Sequence, residues 1–588
     1  MQQHMRFHIS SHRGVVLLLM VFMISCASEA QEKLSENIRT NQIGFYPPAQ
    51  KIAVVAGEAY SEFYIASPDL KQKYFSGKLS DVKRSAFSPK PTRLADFSAF
   101  KTPGRFVVVI PGLGYSYPFE IREKIHEGVA KASIKAFYYQ RFSMALTPQY
   151  AGQWSRASGP THREVIVHPS AATEKRPAGT VISSPRGWID AGDYNKYIVN
   201  SGITTGTLLS AYEDFPAYFD TLKLAIPESG NDVPDVLDEI LWNLRWMLTM
   251  QDPADGGVYH KCTNARFDPM VMPDQATTPR YVVQKGTAAA LNLAAVSAQA
   301  VRVLRKFERQ FPGLADSCLR AAQHAWKWAQ KNPDVKYDQN KMNEAFDPDV
   351  TTGAYGDRDF SDEFSWAAAE LYATTKDAQY RNAIGLSPGA LLVPTWNQVR
   401  LLGYYTLIRH EKQLPAEAQP VVAEMKQRIV QFAGDMIKDV GSHPYHTVMG
   451  STPKDFVWGS NAVAANQGIL LIQAYRISGD KRYADHALSN LDYLLGRNAT
   501  GYSFVTGHGS KTPMHPHHRP SEADGVTAPV PGLLAGGPNP GMQDKCAYPS
   551  SIPDEAYIDD VCSYASNEVA INWNAPLVYL VCGIEAMR

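Results

Sequence analysis

From about residue 131 the chain repeats one pattern over most of its length, and that pattern limits the folds open to it. Val233, Val236, Leu237, Ile240, Leu241, Leu244 and Met247 recur at i, i+3 and i+4, the spacing that lines one face of a helix. Further segments of this kind lie near 288–306, 314–331, 363–375, 393–410, 417–438, 461–477, 481–495 and 567–586. Long helices with long, Gly- and Pro-rich connections predict an α/α toroid over 131–588 whose loops build a cleft on one face. The stretch 497–560 is almost free of helical pattern. Loops that long in a compact domain are functional or disordered, and its His, Arg and aromatic content favours function.

Before residue 131 the texture is β. Ile52–Val55, Phe63–Ile65, Phe106–Ile110 and Tyr115–Ile121 are short runs of β-branched and aromatic residues, punctuated by Pro47-Pro48, Pro103-Gly104 and Pro111-Gly112. They predict a small β-sandwich over 38–122. Further upstream, Arg6 and Arg13 precede an apolar run from Val15 to Ile24, too short to span a bilayer, which ends at Ser25-Cys26. This reads as a signal peptide, 1–26, with a lipobox-like end that places lipid on the Cys26 sulfur; plain secretion with cleavage nearby is the alternative. Residues 27–37 are polar and read as a tether. No second apolar segment reaches membrane-spanning length.

The 58 basic and 58 acidic side chains balance, which argues against nucleic acid as a partner, since phosphate binding needs a basic face. Aromatic residues at 11% fit a sugar-binding cleft, where flat rings stack on pyranose faces, but also a large helical core. Without Cys26, five cysteines remain, with no metal-like spacing. Export permits a disulfide, with Cys546 and Cys562 the nearest pair, and buried free thiols are the other reading.

Three constellations carry chemistry. Gly187-Trp-Ile-Asp-Ala-Gly-Asp-Tyr194 puts Asp190 and Asp193 on one glycine-containing loop, where both carboxylates could converge on a water; turns and calcium loops share the pattern. Glu568, in Ser566-Asn-Glu-Val-Ala-Ile-Asn-Trp-Asn574, stands at the start of a predicted helix, either as an ordinary N-terminal acid or as a proton donor held protonated by burial and nearby carboxylates. Pro516-His-His-Arg519 offers His517 and Arg519 to sugar hydroxyls, against a metal site of His515, His517 and His518.

Together these segments resemble the catalytic signatures of glycoside hydrolase family 9. Val233–Glu239, Asp255–Lys261, Trp366–Tyr372, Trp458–Asn461 and Leu491–Arg497 fit the same pattern, and Ile38–Gly44 resembles the immunoglobulin-like module that precedes one subgroup's catalytic domain. The resemblance implies an all-α (α/α)6 barrel and an inverting endo-β-1,4-glucanase. Asp193 would be the base, with Asp190 helping to hold the attacking water; Glu568 would be the acid, Asp559 a supporting member of the acid signature, and His517 and Arg519 sugar contacts. His260, Trp458 and Trp573 are further cleft candidates, with core packing the other reading of His260 and Trp458 and with Trp573 standing where many members have Tyr. Inversion needs the two carboxylates roughly 6.5–9.5 Å apart, with room for water. The subgroup's zinc-binding Cys-Gly and Cys-His pairs are replaced by Phe142-Ser143 and Thr161-His162, which counts against zinc; the family's calcium has a candidate loop in Asp347, Asp349, Asp357 and Asp359, as does plain solvation. No cofactor is required. A monomer is expected, exported as a lipoprotein in a Gram-negative bacterium, with a β-glucan substrate, xyloglucan foremost. The alternatives are an exo-acting glucosidase or glucosaminidase on the same scaffold and a non-catalytic glycan-binding lipoprotein.

Overall fold

The computed structural model describes residues 32–588 apart from Ala86; Cys26, the signal peptide and the first residues of the tether lie outside the described residues. Strands from Ile38 to Ile121 form two packed sheets around a core of Phe45, Val55, Ile65, Phe106, Val108 and Phe119. The second half of the expected tether is not free. Tyr115 N–H donates to Lys33 O, Ser35 N–H donates to Tyr115 O, and Glu36 pairs with Lys511, so the sandwich's own edge captures the chain.

The remaining residues form an (α/α)6 barrel. Its inner helices are Ile198–Asp214, Thr287–Leu304, Ser361–Thr375, Arg400–Arg409, Ser460–Ser478 and Ile571–Ala586. They are buried nearly all round, and their alanines allow close approach: Ala288, Ala289, Ala290, Ala294 and Ala295 on one helix alone are core residues. The outer helices Glu127–Tyr139, Asp235–Thr249, Leu314–Lys331, Gln419–Ile437 and Lys481–Leu494, with the single turn Ala378–Arg381, show the one-sided pattern of helices facing water. Thr287–Phe307 is in fact long and apolar enough to cross a membrane, contrary to the sequence reading, but 94% of its apolar 18-residue window is buried inside the protein.

Two elements differ from expectation. The predicted helix at 393–410 begins only at Arg400, because Pro394 sits in a loop that closes with a Thr395–Gln398 bridge, and Asp362 Oδ2 accepts from Val399 N–H. A five-stranded sheet, unanticipated, crosses the barrel mouth in the order Val181–Ile182, Val165–Val167, Tyr281–Val282, Lys261–Thr263, Lys196–Tyr197. Its strands are two or three residues long, below the length at which alternation is visible.

The sandwich docks on the barrel through buried polar contacts. Asn41 Nδ2 donates to Asp492 Oδ1 at 2.7 Å, Tyr46 OH to Glu585 Oε1 at 2.5 Å, and Gln42 Nε2 to Gly501 O at 2.8 Å.

Candidate active site

Asp190 and Asp193 lie on a tight loop anchored by Trp188, whose fully buried ring packs 4.6 Å from Phe137. Asp193 Oδ2 accepts from Asn195 Nδ2 at 2.5 Å and from Tyr197 OH at 3.0 Å. Asn195 must present its NH2 there, because its own Oδ1 already accepts from Thr263 Oγ1, Asn264 N–H and Arg280. One Asp193 oxygen is thus fixed by two donors, and the other is left for the cleft. Asp190 accepts from Asn200 Nδ2 at 2.9 and 3.1 Å and from Tyr355 OH at 3.0 Å. Burial and the neighbouring Asp193 charge push its carboxyl up to about 8.

Glu568 does not start a helix. Residues 568 and 569 bridge His517 and Ala535, and the helix begins at Ile571. Apolar residues continue straight through the junction, so periodicity could not mark it. Burial first, then the charges of Asp193 and Asp190, hold the Glu568 carboxyl well above the usual carboxylate range. Gly192 N–H donates to its Oε1 at 3.3 Å.

Gly192 joins all three constellations. It donates to Glu568, its carbonyl accepts from Arg519 N–H and Nη1, and a Cβ there would stand 2.0 Å from His517 O. Only glycine permits that approach.

His517 donates through Nδ1 to Val561 O at 2.6 Å, and burial lowers its pKa, so the neutral ring keeps Nε2 for the cleft it lines. Arg519 lines the cleft as well, with Nε on Asp268 O at 2.8 Å, which ties the Phe267 loop to the aspartate loop. His518 faces away, toward Gln140 and Ser521, which removes it from a three-histidine metal site. The cleft holds about 750 Å³ and is walled by Phe267, Tyr355 and Trp396 together with Trp458, Tyr564 and Trp573. Trp458 is 43% exposed and leans on Tyr564 with centroids 5.5 Å apart.

Two candidates fall elsewhere. Asp559 is outside the cleft lining; its oxygens accept from Met514 N–H at 2.8 Å and His515 N–H at 2.9 Å, bracing the histidine loop from behind. His260 is buried, stacked on Tyr337 at 4.0 Å with Nε2 on Ala354 O, so it supports the Tyr355 loop from outside the cleft lining. Tyr197, Tyr355, Asn195 and Trp396 were missed. Tyr197 and Asn195 adjoin the aspartate motif, but Tyr355 and Trp396 arrive on loops without periodic signal.

The metal expectations resolve differently. Phe142 stacks on His162 at 5.2 Å and packs with Ile189, Tyr194 and Ala276, so the place of the subgroup's zinc carries an aromatic ring and no thiolate; the residues do not fit zinc. Asp347, Asp349 and Asp359 are exposed, and Asp359 caps Ser361 N–H. Asp357 alone turns inward, toward Asp362 and Glu363. The four aspartates do not converge, and among the described residues no three His, Cys, Asp or Glu side chains form a ready metal cage. Both Glu363 oxygens and Asp357 Oδ2 are nevertheless buried with no N–H donor, and burial followed by the charges of Asp362 and Asp357 holds the Glu363 carboxyl well above the usual carboxylate range, so a proton is shared among the three.

Cys546 and Cys562 are disulfide-bonded, while Cys262, Cys318 and Cys582 are buried thiols.

Residues 126–581 match the family described as glycosyl hydrolase family 9, and residues 33–115 match the cellulase N-terminal ig-like domain. A xyloglucan-specific endo-β-1,4-glucanase of Bacteroides ovatus is 45% identical over 96% of this chain and 96% of its own length. Endoglucanase D of Acetivibrio thermocellus is 32% identical over 94% of this chain and 84% of its own. A solved Bacteroides ovatus family 9 structure superposes with a TM-score of 0.90 at 44% identity, covering 94% of this chain and all of that one. Two carboxyl-bearing motifs meeting in an aromatic cleft, on this barrel and behind this sandwich, make the chain a glycoside hydrolase, and it belongs to glycosyl hydrolase family 9.

Proposed function

We propose that this endo-β-1,4-glucanase cuts xyloglucan with inversion, using Asp193 as base and Glu568 as acid. The observation that carries the reading is the division of labour among the carboxyls. Asp193 has two donors on one oxygen and the other free, the arrangement of a carboxylate that takes a proton from water. Glu568 is held protonated beside it, the arrangement of a donor to the glycosidic oxygen. Water adds to the anomeric carbon as the C–O bond breaks; its proton goes to Asp193, and the Glu568 proton goes to the leaving oxygen. Asp190, steadied by Asn200 and Tyr355, offers the water a second contact. His517 and Arg519 border the cut, and Trp458 and Trp573 supply sugar platforms. NMR of the first-formed anomer from a β-linked oligosaccharide tests the mechanism: an α-anomer is expected, and a β-anomer would mean a covalent intermediate and break the assignment of Asp193.

Xyloglucan is favoured by the 45% identical xyloglucan-specific relative. Reducing-sugar release should be greatest on xyloglucan among xyloglucan, barley β-glucan, carboxymethylcellulose and glucomannan. Release greatest on an unbranched glucan would remove the assignment.

The enzyme is further proposed to be a monomer, lipid-anchored through Cys26 and exported in a Gram-negative bacterium; mass spectrometry of the native N-terminus reads the lipid directly, and an unmodified start elsewhere would count against the anchor. Calcium is proposed at Glu363 and Asp357, whose buried oxygens face one another and Asp362 without an N–H donor and are hard ligands that a divalent cation would satisfy in place of a shared proton. Chelation should lower the melting temperature of the wild type and leave that of Glu363→Gln unmoved.

A further inference from the structure

Lys261 is fully buried on the central short sheet, yet its Nζ meets only neutral oxygens: Gln339 Oε1 at 2.7 Å, Gly353 O at 2.7 Å, Thr352 Oγ1 at 2.9 Å and, more distantly, Thr352 O at 3.5 Å. Taking an ammonium out of water without a contacting carboxylate is costly, and a Leu or Met would fill the space without that cost. Three acceptors match the three hydrogens of the ammonium form. Burial pulls the Lys261 amine well below the usual lysine range, and the Asp193 charge offsets part of that, so it is the three close acceptors that favour the ammonium form.

The path to Asp193 is continuous. Lys261 pairs across the sheet with Tyr197, and its Nζ stands 5.6 Å from the Tyr197 ring centroid. By gripping Thr352 and Gly353, it fixes the peptide whose N–H, that of Gly353, donates to Tyr197 OH at 3.1 Å. Tyr197 OH, its acceptor side filled, donates in turn to Asp193 Oδ2 at 3.0 Å. A cation behind that peptide polarises both bonds in the same sense. The same grip holds the loop that carries Tyr355 onto Asp190.

We propose that Lys261 is a positioning residue for the general base, acting through the Gly353 amide and the Tyr197 hydroxyl to keep one Asp193 oxygen fixed and the other turned to the cleft. This rests on Asp193 being the base. Other groups face Asp193: the carboxyls of Asp190 and Glu568, the phenols of Tyr197 and Tyr355, the Arg280 guanidinium and the His517 ring. Facing Lys261 itself are the Tyr197 and Tyr337 rings.

The test uses the full chain on a β-1,4-linked oligosaccharide. Removing a cation that favours ionised Asp193 moves the acidic limb of the kcat/KM profile upward, by about one pH unit. Lys261→Gln should show this shift, with kcat down about 10- to 100-fold and KM within about twofold. Lys261→Arg should bring the limb back toward wild type. In a Tyr197→Phe background Lys261→Gln should add little, because both act along one path. An unmoved limb in Lys261→Gln, or losses that simply add, would overturn the proposal. Lys261→Met serves if the Gln variant does not fold. Tyr197→Phe alone keeps Lys261 and its ties and must shift the limb in the same direction; an unmoved limb there overturns the relay even if neither Lys261 variant folds. The base reading is judged separately. Azide should restore rate to Asp193→Ala and release a glycosyl azide of inverted configuration, whatever the Lys261 variants do; failure of that rescue counts against the base.

Discussion

As the proposed acid, Glu568 has to keep a proton at a pH where an ordinary carboxyl has lost it, and burial beside two aspartates supplies the reason. The acid form is the working form, so the rate should fall as pH rises through this raised value. Glu568→Ala should lose roughly two to four powers of ten on polysaccharide and far less on an aryl glycoside with a good leaving group, which needs no protonation. On that aryl substrate the alkaline limb should disappear as well. Asp193→Ala should damage both substrates, because water still needs deprotonation whatever leaves. Rate measurements on the two substrates across pH decide the pair. The two carboxyls proposed for these roles were legible as candidates because each sits in a motif of fixed spacing, and both line one cleft. His260, offered for the cleft, lies beneath it for a simple reason: residue type shows what a side chain can do, and only packing shows which way it faces. His260 turns under Tyr337, and Asp559, expected in a supporting role, braces the histidine loop from behind.

The long loops are built as elements in their own right. Residues 497–560 show no helical pattern, yet a network of main-chain bonds orders them: Phe504 N–H donates to Leu494 O, Thr506 N–H to Leu533 O and Ala535 N–H to Phe504 O. The Cys546–Cys562 disulfide closes the following turn, and Asp559 lies inside it, holding Met514 and His515. Asp559→Ala should therefore lower kcat about tenfold by loosening His517, with KM changed less and the melting temperature nearly kept. Steady-state kinetics beside a thermal scan separates this from plain unfolding; a large drop in melting temperature with an unchanged kcat per folded molecule would reject it. The helices were readable from periodicity because each is long enough to show its face. The mouth sheet was not, since strands such as Lys196–Tyr197 carry no period, and with it went the sight of Tyr197 and Lys261 as neighbours.

Across the whole molecule, burial also sets the response to acid. His126 lies at the seam between sandwich and barrel, where its ring meets Asn41 and Tyr46; His260 underlies the Tyr355 loop, and His518 underlies the aspartate loop. Burial pushes each down to about 3, from 6.5 when unfolded. A depressed histidine adds stability above its unfolded value, and that stability is lost as pH falls below 6.5, where the unfolded chain takes up the proton the fold refuses. The loss is up to about 1.4 kcal/mol per pH unit for each ring. Buried carboxyls held above their unfolded values, Asp190 and Glu568 among them, act in the opposite sense, so the rings are read as a difference: between pH 6.5 and 4 the melting temperature of His126→Gln should fall less than that of the wild type, from a lower plateau. A difference that stays constant over that range would show that the His126 ring titrates in the folded state. Gly192 bears on a different matter, the tolerance of the machine. Its amide touches the acid, its carbonyl the arginine, its bare α-carbon the histidine backbone, and the base is the next residue along the chain. A single methyl group at Gly192 would meet the His517 carbonyl at 2.0 Å, so acid, arginine and histidine segments would have to part together: the tolerance of the cleft is cut into the backbone.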